Sequence, residues 1–185
     1  MQPFVAEKIY IILGERNGLG LINVPSNQNG LIDEASIVRL QEFKGGVASI
    51  YSRDTAFGKQ ASASTTRGND PRFGSKQTVD NDYETYYSTD DNVTTGHIEV
   101  DLVKSMDIDG VIIQEYIPLG QRIAEHRVEV WDSSAWRRAI PGATVGFKRI
   151  HWKKFQTQRV RLVITRFRAR PLISSIICDR TEDDY

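Results

Sequence analysis

Apolar residues recur along this chain in two rhythms. Between Asp33 and Phe43, the residues Ile37, Leu40 and Phe43 return at three-residue spacing, which predicts a short amphipathic helix. Asp33 stands where an N-cap belongs, Glu34 falls in the first turn, and Gly45-Gly46 marks the expected stop. Upstream, Ile9–Leu13 and Leu19–Val24 are short apolar runs punctuated by Gly14, Asn17-Gly18 and Pro25 to Gly30, a pattern that predicts buried strands. Residues 1–45 therefore read strand, loop, helix. That is one unit of an α/β fold and too little to bury its own faces.

From Val47 onward the rhythm becomes alternation. Ile98, Val100 and Leu102 share one face, Val111 to Ile113 is a buried run, Val128 and Val130 lie together, and Val160, Leu162 and Ile164 oppose Arg159, Arg161 and Val163. Leu172 to Ile177 closes the series. Polar connections rich in Gly, Asn, Asp, Ser and Thr, such as Ser62–Gly74 and Asp80–Gly96, separate these segments. Many short strands joined in this way predict a β-sandwich.

Composition narrows the chemistry. With 24 basic against 24 acidic residues in 185, no overall field draws the chain to nucleic acid or an anionic membrane. No apolar run approaches the roughly 20 residues of a membrane helix, and the amino terminus lacks the pattern of a secretory signal. Cys178 stands alone, which excludes a disulfide framework, and His97, His126 and His151 lie 29 and 25 residues apart, unlike a local metal motif. No nucleophile elbow marks a serine hydrolase.

At this point specific residues become informative. Val111–Ile123 with its Gln114-Glu115 and Gly120-Gln121-Arg122, then Glu129-Val-Trp131, Trp136, Gly142–Arg149, Arg159-Val-Arg161 and Arg170–Ser174, strongly resemble the carboxy-terminal domain of plant-type α-L-fucosidases, glycoside hydrolase family 29. Leu21–Ile32 resembles the last strand and following loop of that family's catalytic barrel, with 33–45 as its final helix. The resemblance implies a mainly β chain. Residues 1–45 would be a remnant of the (β/α) barrel, 46–178 a galactose-binding-like jelly-roll β-sandwich of the discoidin (F5/8 type C) or carbohydrate-binding-module type, and 179–185 an acidic, solvated tail.

It also implies a parent hydrolase that releases terminal α-L-fucose with retention, uses no organic cofactor and is extracellular. Its catalytic carboxylates would lie upstream of this chain. Retaining glycosidases need two carboxyl groups about 5–5.5 Å apart, and barrel sites gather residues from several strands. The isolated chain is therefore expected to be inactive, partnering a glycan or the barrel. Residues 9–24, left uncovered, would promote self-association.

Candidate residues follow. Gln114, Glu115, Tyr116, Gln121 and Arg122 flank a Pro-Gly loop; they either hydrogen-bond and stack on a sugar or brace the sandwich. Asp80, Asp82 and Thr85 place oxygens at spaced positions in one loop, either for a structural calcium ion or for a self-bonded turn. Asn92-Val93-Thr94 is a glycosylation sequon. Lys148–Arg170 holds nine basic residues and no acidic one, against ten acidic and three basic over Asn69–Asp109. Internal pairing or an anionic partner would use such a run. Trp131 and Trp136 flank a hairpin-like turn and are expected to pack it.

Overall fold

The computed structural model describes residues 13, 20–51, 53–93 and 95–180. Among these residues a long helix, α1 (Glu34–Tyr51), precedes seven strands: β1 (Gln60–Ala63), β2 (Tyr87–Ser88), β3 (Gly96–Glu115), β4 (Ile123–Trp131), β5 (Trp136–Gly142), β6 (Arg149–Phe167) and β7 (Leu172–Asp179). All pairings are antiparallel, in the order β2-β7-β3-β6-β4-β5, with β1 on the outer flank of β3.

The long strands β3 and β6 make this a folded sheet. They pair through most of their length, but the register shifts between Asp101 and Met106, where Val103 turns to a φ of 75°. Before the bend β3 also pairs with β1, and after it with β7; β6 meets β4 only in its second half. Two layers result, β1-β3-β6-β4-β5 and β2-β7-β3-β6, hinged on the shared pair. Between them Ile98, Val100, Val128, Leu162 and Ile164 meet Ile108, Val111, Ile113, Ile173 and Ile176 in one buried core. The alternation in sequence supplies that inner face, because every second side chain of a strand points the same way.

Four sequence expectations are corrected. First, the helix does not stop at Gly45-Gly46 but runs on to Tyr51, so residue 45 lies inside α1. Neither glycine adopts the left-handed φ that would end it, and glycine inside a helix costs only about 1 kcal/mol against alanine. Second, Leu21 and Ile22 form no buried strand. Leu21 is 94% exposed, and among the described residues no strand pairs with the segment. Leu13 is helical, and the rest of the expected strand 9–13 lies outside the described residues.

Third, the segments 98–102 and 111–113 belong to one bent strand. Fourth, Asp179 is the last residue of β7 and 1% exposed, not part of a solvated tail; residues 181–185 lie outside the described residues. Burial, the charge of Asp109 and that of Asp54 push its carboxyl up to about 6, opposed by Arg53. Both of its oxygens lack a hydrogen-bond partner.

That carboxyl has a pH signature. Its folded value lies above the unfolded 3.8, so ionising it costs stability as pH rises from about 4 through 6, and nothing below that window. Asp179→Asn is expected to stabilise the chain at pH 7.5 by about 1–2 kcal/mol after solvent screening. The gain should vanish at pH 4, as parallel thermal melts would record.

Candidate functional site

Antiparallel pairing gathers several loops at one end of the sandwich. β3 stops at Glu115 and β4 starts at Ile123, β6 stops at Phe167 and β7 starts at Leu172, and β2 lies against the start of β7. Backbone bonds tie these loops together. Tyr116 N–H donates to Leu172 O (2.9 Å), Arg168 N–H to Arg122 O (2.8 Å) and Glu115 N–H to Gly146 O (3.0 Å).

Glu115 is the knot of this end. It is 1% exposed. Its Oε1 accepts from the backbone N–H of Arg122 (2.8 Å) and Ile123 (2.9 Å), and Oε2 from that of Gly146 (2.7 Å). Burial raises its pKa while these three bonds lower it. One carboxylate thus holds the 116–122 loop and the 143–148 loop to the end of β3. Arg122 works similarly, donating from its guanidinium to Leu119 O (3.1 and 3.3 Å) and Arg170 O (3.2 Å). Gln114 is buried, and its carbonyl accepts from Ser174 Oγ (3.3 Å). Gln121 is exposed.

Tyr116 faces different company. Its ring stacks on Tyr86 (centroids 4.8 Å apart, 29° between planes), and Tyr86 in turn meets Phe73 at 5.6 Å. Arg67 and Arg72 lie over Phe73 at 5.4 and 5.9 Å. The turn carrying Phe73 is set by Asp70, which accepts from Arg72 N–H (2.9 Å) and pairs with its guanidinium (2.6 Å). Desolvation and then Glu84 raise the Tyr116 phenol. The product is a row of three half-buried rings with cations at one end and a carboxylate at the other. Aromatic faces flanked by charged hydrogen-bonding groups suit the apolar C–H faces and hydroxyls of sugar rings.

Only Tyr116 of this row was singled out from sequence. Phe73 and Tyr86 sit 43 and 30 residues earlier in loops without periodicity. Asp80 and Thr85 do converge, with Thr85 Oγ donating to Asp80 Oδ2 (2.8 Å). Asp80 Oδ1 takes Asp82 N–H (2.9 Å), and Asp82 Oδ1 takes Glu84 N–H (3.0 Å). Asp80, Asp82 and Thr85 are thus each engaged in closing one turn. Among the described residues no group of three or more His, Cys, Asp or Glu side chains is placed to hold a metal. Asn92 is exposed; Thr94 of its sequon lies outside the described residues.

Folding also joins His126 to His151, whose Nε2 atoms approach to 2.8 Å. Trp131 and Trp136 pack edge to face (5.4 Å) across their hairpin, under Arg159 (5.0 Å) and Arg161 (3.8 Å) respectively. Those arginines pair with Glu99 at 3.0 Å each.

Comparison with known proteins agrees with this architecture. The F5/8 type C domain model matches residues 60–176. Alpha-L-fucosidase 1 of Arabidopsis thaliana is 32% identical over 164 residues, covering 86% of this chain and 32% of its own length. The chain thus spans about a third of the length of the curated relatives it matches. Among solved structures, a GH29 fucosidase of Ruminococcus gnavus in complex with fucose superposes with a TM-score of 0.84 and 29% identity, over 98% of this chain and 38% of that one. A chitosan-binding module from a Paenibacillus chitosanase/glucanase gives a TM-score of 0.61 at 17% identity, over 69% of this chain and 98% of that one, a likeness of fold alone.

Proposed function

We propose, on the premise that this chain belongs to the F5/8 type C domain family, that it is the carboxy-terminal glycan-recognition module of an α-L-fucosidase-type glycoside hydrolase. The likeness to fucosidases from Arabidopsis and Ruminococcus, which extends beyond the sandwich to nearly the whole chain, supports that parentage. The observation that carries the binding role is the ring row Phe73, Tyr86 and Tyr116.

In this reading the module recognises and does not cleave. A glycosidase needs a free carboxyl acid beside a second carboxyl, whereas Glu115 commits both oxygens to backbone N–H groups. Its task is to hold the two loops beside which Tyr116 sits. The rings supply stacking area, and Arg67, Arg72 and Glu84 select among hydroxyls. The glycan is fucosylated, and the family's extracellular setting is the place where it would be met.

Calorimetric titration with a fucosylated trisaccharide tests this. Tyr116→Ala is expected to weaken binding about tenfold, the loss of one well-placed aromatic contact of roughly 1–1.5 kcal/mol. The Glu115 bonds, made one residue away, should keep the fold. Equal affinity for wild type and Tyr116→Ala would remove the ring row from the account.

A further inference from the structure

We infer that Asp179 is the latch of a pH-sensitive clasp between α1 and the sandwich: neutral, it leaves the connector 53–58 docked on the end of β7, and ionised, it releases it. The clasp lies at the end of β7 away from the ring row and involves no glycan contact. It therefore goes beyond the function proposed above and stands or falls separately.

Few bonds hold the connector. Asp54 and Asp179 form an isolated antiparallel bridge, while β3 pairs with Asp179 through Gly110. Thr55 donates both its N–H and its Oγ–H to Cys178 O (2.9 Å each), and Asp54 Oδ1 accepts from the N–H of Ala56 (2.8 Å) and of Cys178 (3.1 Å). Gly58 N–H reaches Val79 O at 2.8 Å. A segment tied down by so short a set of bonds can open by itself, with the long β3–β6 ladder left intact. Helix α1 leads directly into this connector, so opening it frees α1 to move against the sandwich.

The connector closes over an acidic pocket. Asp179 is 1% exposed and neither of its oxygens has a hydrogen-bond partner, a burial that a carboxyl tolerates only without charge. Among the described residues, the groups facing it come from three elements. Asp109 of β3 is itself buried and pairs with Lys154 of β6 at 3.1 Å. The connector supplies Asp54, whose own carboxyl burial raises against three backbone bonds, and Arg53, the opposing cation. Cys178, beside it on β7, is fully buried, and burial with both aspartates pushes its thiol up, so it stays neutral. Ionising Asp179 thus sets a third carboxylate near Asp54 and Asp109 out of reach of water. Lifting the connector readmits water and returns the group to its ordinary range.

The sign follows. Burial and then Asp109 push the docked carboxyl up to about 6 from 3.8, so docking is unopposed below about pH 4 and weakens as pH rises through 6. The His126–His151 pair acts in the opposite direction, since both rings lie below 6.5 when folded and their stabilisation is lost as pH falls. A loosening toward alkaline pH therefore cannot come from the histidines.

Amide hydrogen exchange of the full chain between pH 4.5 and pH 7.5, corrected for the intrinsic rate at each pH, tests the clasp. Protection of the Thr55, Ala56 and Cys178 amides is expected to fall about tenfold across that range. At every pH it should stay below that of Val160 and Leu162 in the core, because the connector opens without the sandwich. Asp179→Asn, nearly the same shape and never charged, should hold the three amides level. Wild type alone offers a second measurement that needs no variant to fold: the Asp179 carboxyl carbon shift and the loss of Ala56 protection should titrate with one midpoint. Level protection in wild type, a fall that persists in folded Asp179→Asn, connector amides as protected as the core, or midpoints more than about one pH unit apart would each overturn the clasp.

Discussion

Glu115→Ala is expected to unfold the loop end of the sandwich at temperatures the wild-type chain withstands. The substitution leaves the N–H groups of Arg122, Ile123 and Gly146 facing a void. Each buried unpaired donor costs about 1–3 kcal/mol, and removing one charged member of such a buried network typically costs about 3–5 kcal/mol in all. For a chain of this size, that lowers the melting temperature by about 10–15 °C. Glu115→Gln should fall between, because its amide nitrogen cannot accept at one of the two carboxylate positions. Amide exchange should locate the loss at 116–123 and 144–147. A Glu115→Ala chain melting within about 2 °C of wild type would mean that other contacts fix these loops.

The second large effect is expected at Gly142. A methyl group there would stand 2.3 Å from Cε1 and Nε2 of His126. The ring has nowhere to go, because Nδ1 meets Ala143 O at 2.7 Å and Nε2 meets His151 Nε2 at 2.8 Å. With Nδ1–H donated to the carbonyl, His126 Nε2 must accept, and His151 donates its Nε2–H. Gly142→Ala therefore combines overpacking of about 1–3 kcal/mol with loss of a buried hydrogen bond of about 1 kcal/mol. A drop of about 6–12 °C in melting temperature follows.

The same pair makes the chain acid-sensitive. Burial lowers His126 to about 4 and His151 to about 3, with nearby positive charge adding to both. Values below the unfolded 6.5 mean that the stability from keeping the rings neutral is complete above pH 6.5 and is lost as pH falls toward 4. Gly142→Ala, with the pair disrupted, should flatten this slope. An unchanged melting temperature and an unchanged acid limb would show that the loop after β5 yields without disturbing the rings.

Local signals carried much of the fold. Alternation at 98–102, 128–130 and 160–164 located the inner face because a strand's side-chain period is a property of the backbone. Helix α1 starts at Glu34, directly after Asp33, where the spacing indicated, although the Asp33 carboxylate accepts from Asn27 Nδ2 (3.0 Å). What sequence spacing could not reach were features made by distant partners. Whether Gly45-Gly46 ends a helix depends on its φ, which glycine leaves free. Leu21 and Ile22 read as a strand only if a neighbour exists to pair with them.

The site divides in the same way. Glu115 stood out as a carboxylate beside a turn, but its acceptors are filled by a residue 31 positions on, Gly146, as much as by the adjacent loop. His126 and His151 come together over 25 positions through strand order. Phe73 and Tyr86 carried no periodic signal, and they acquire meaning only when the ends of β2, β3 and β7 set them beside Tyr116. Lys148–Arg170, a uniform basic run in sequence, meets distant carboxylates once the chain is folded: Lys154 pairs with Asp109, Arg159 and Arg161 with Glu99, Arg166 with Glu125 and Arg170 with Asp91.

The most direct test of the account is chemical-shift mapping of the intact chain with a fucosylated oligosaccharide. The account predicts saturable shifts centred on Phe73, Tyr86, Tyr116 and the 116–122 loop, with the far end of the sandwich near Asp54 and Asp179 unmoved. Saturable shifts at that far end with the ring row silent, or no shifts at sugar concentrations of about 10 mM, would contradict it, since weak binding of roughly 4 kcal/mol should still be visible there.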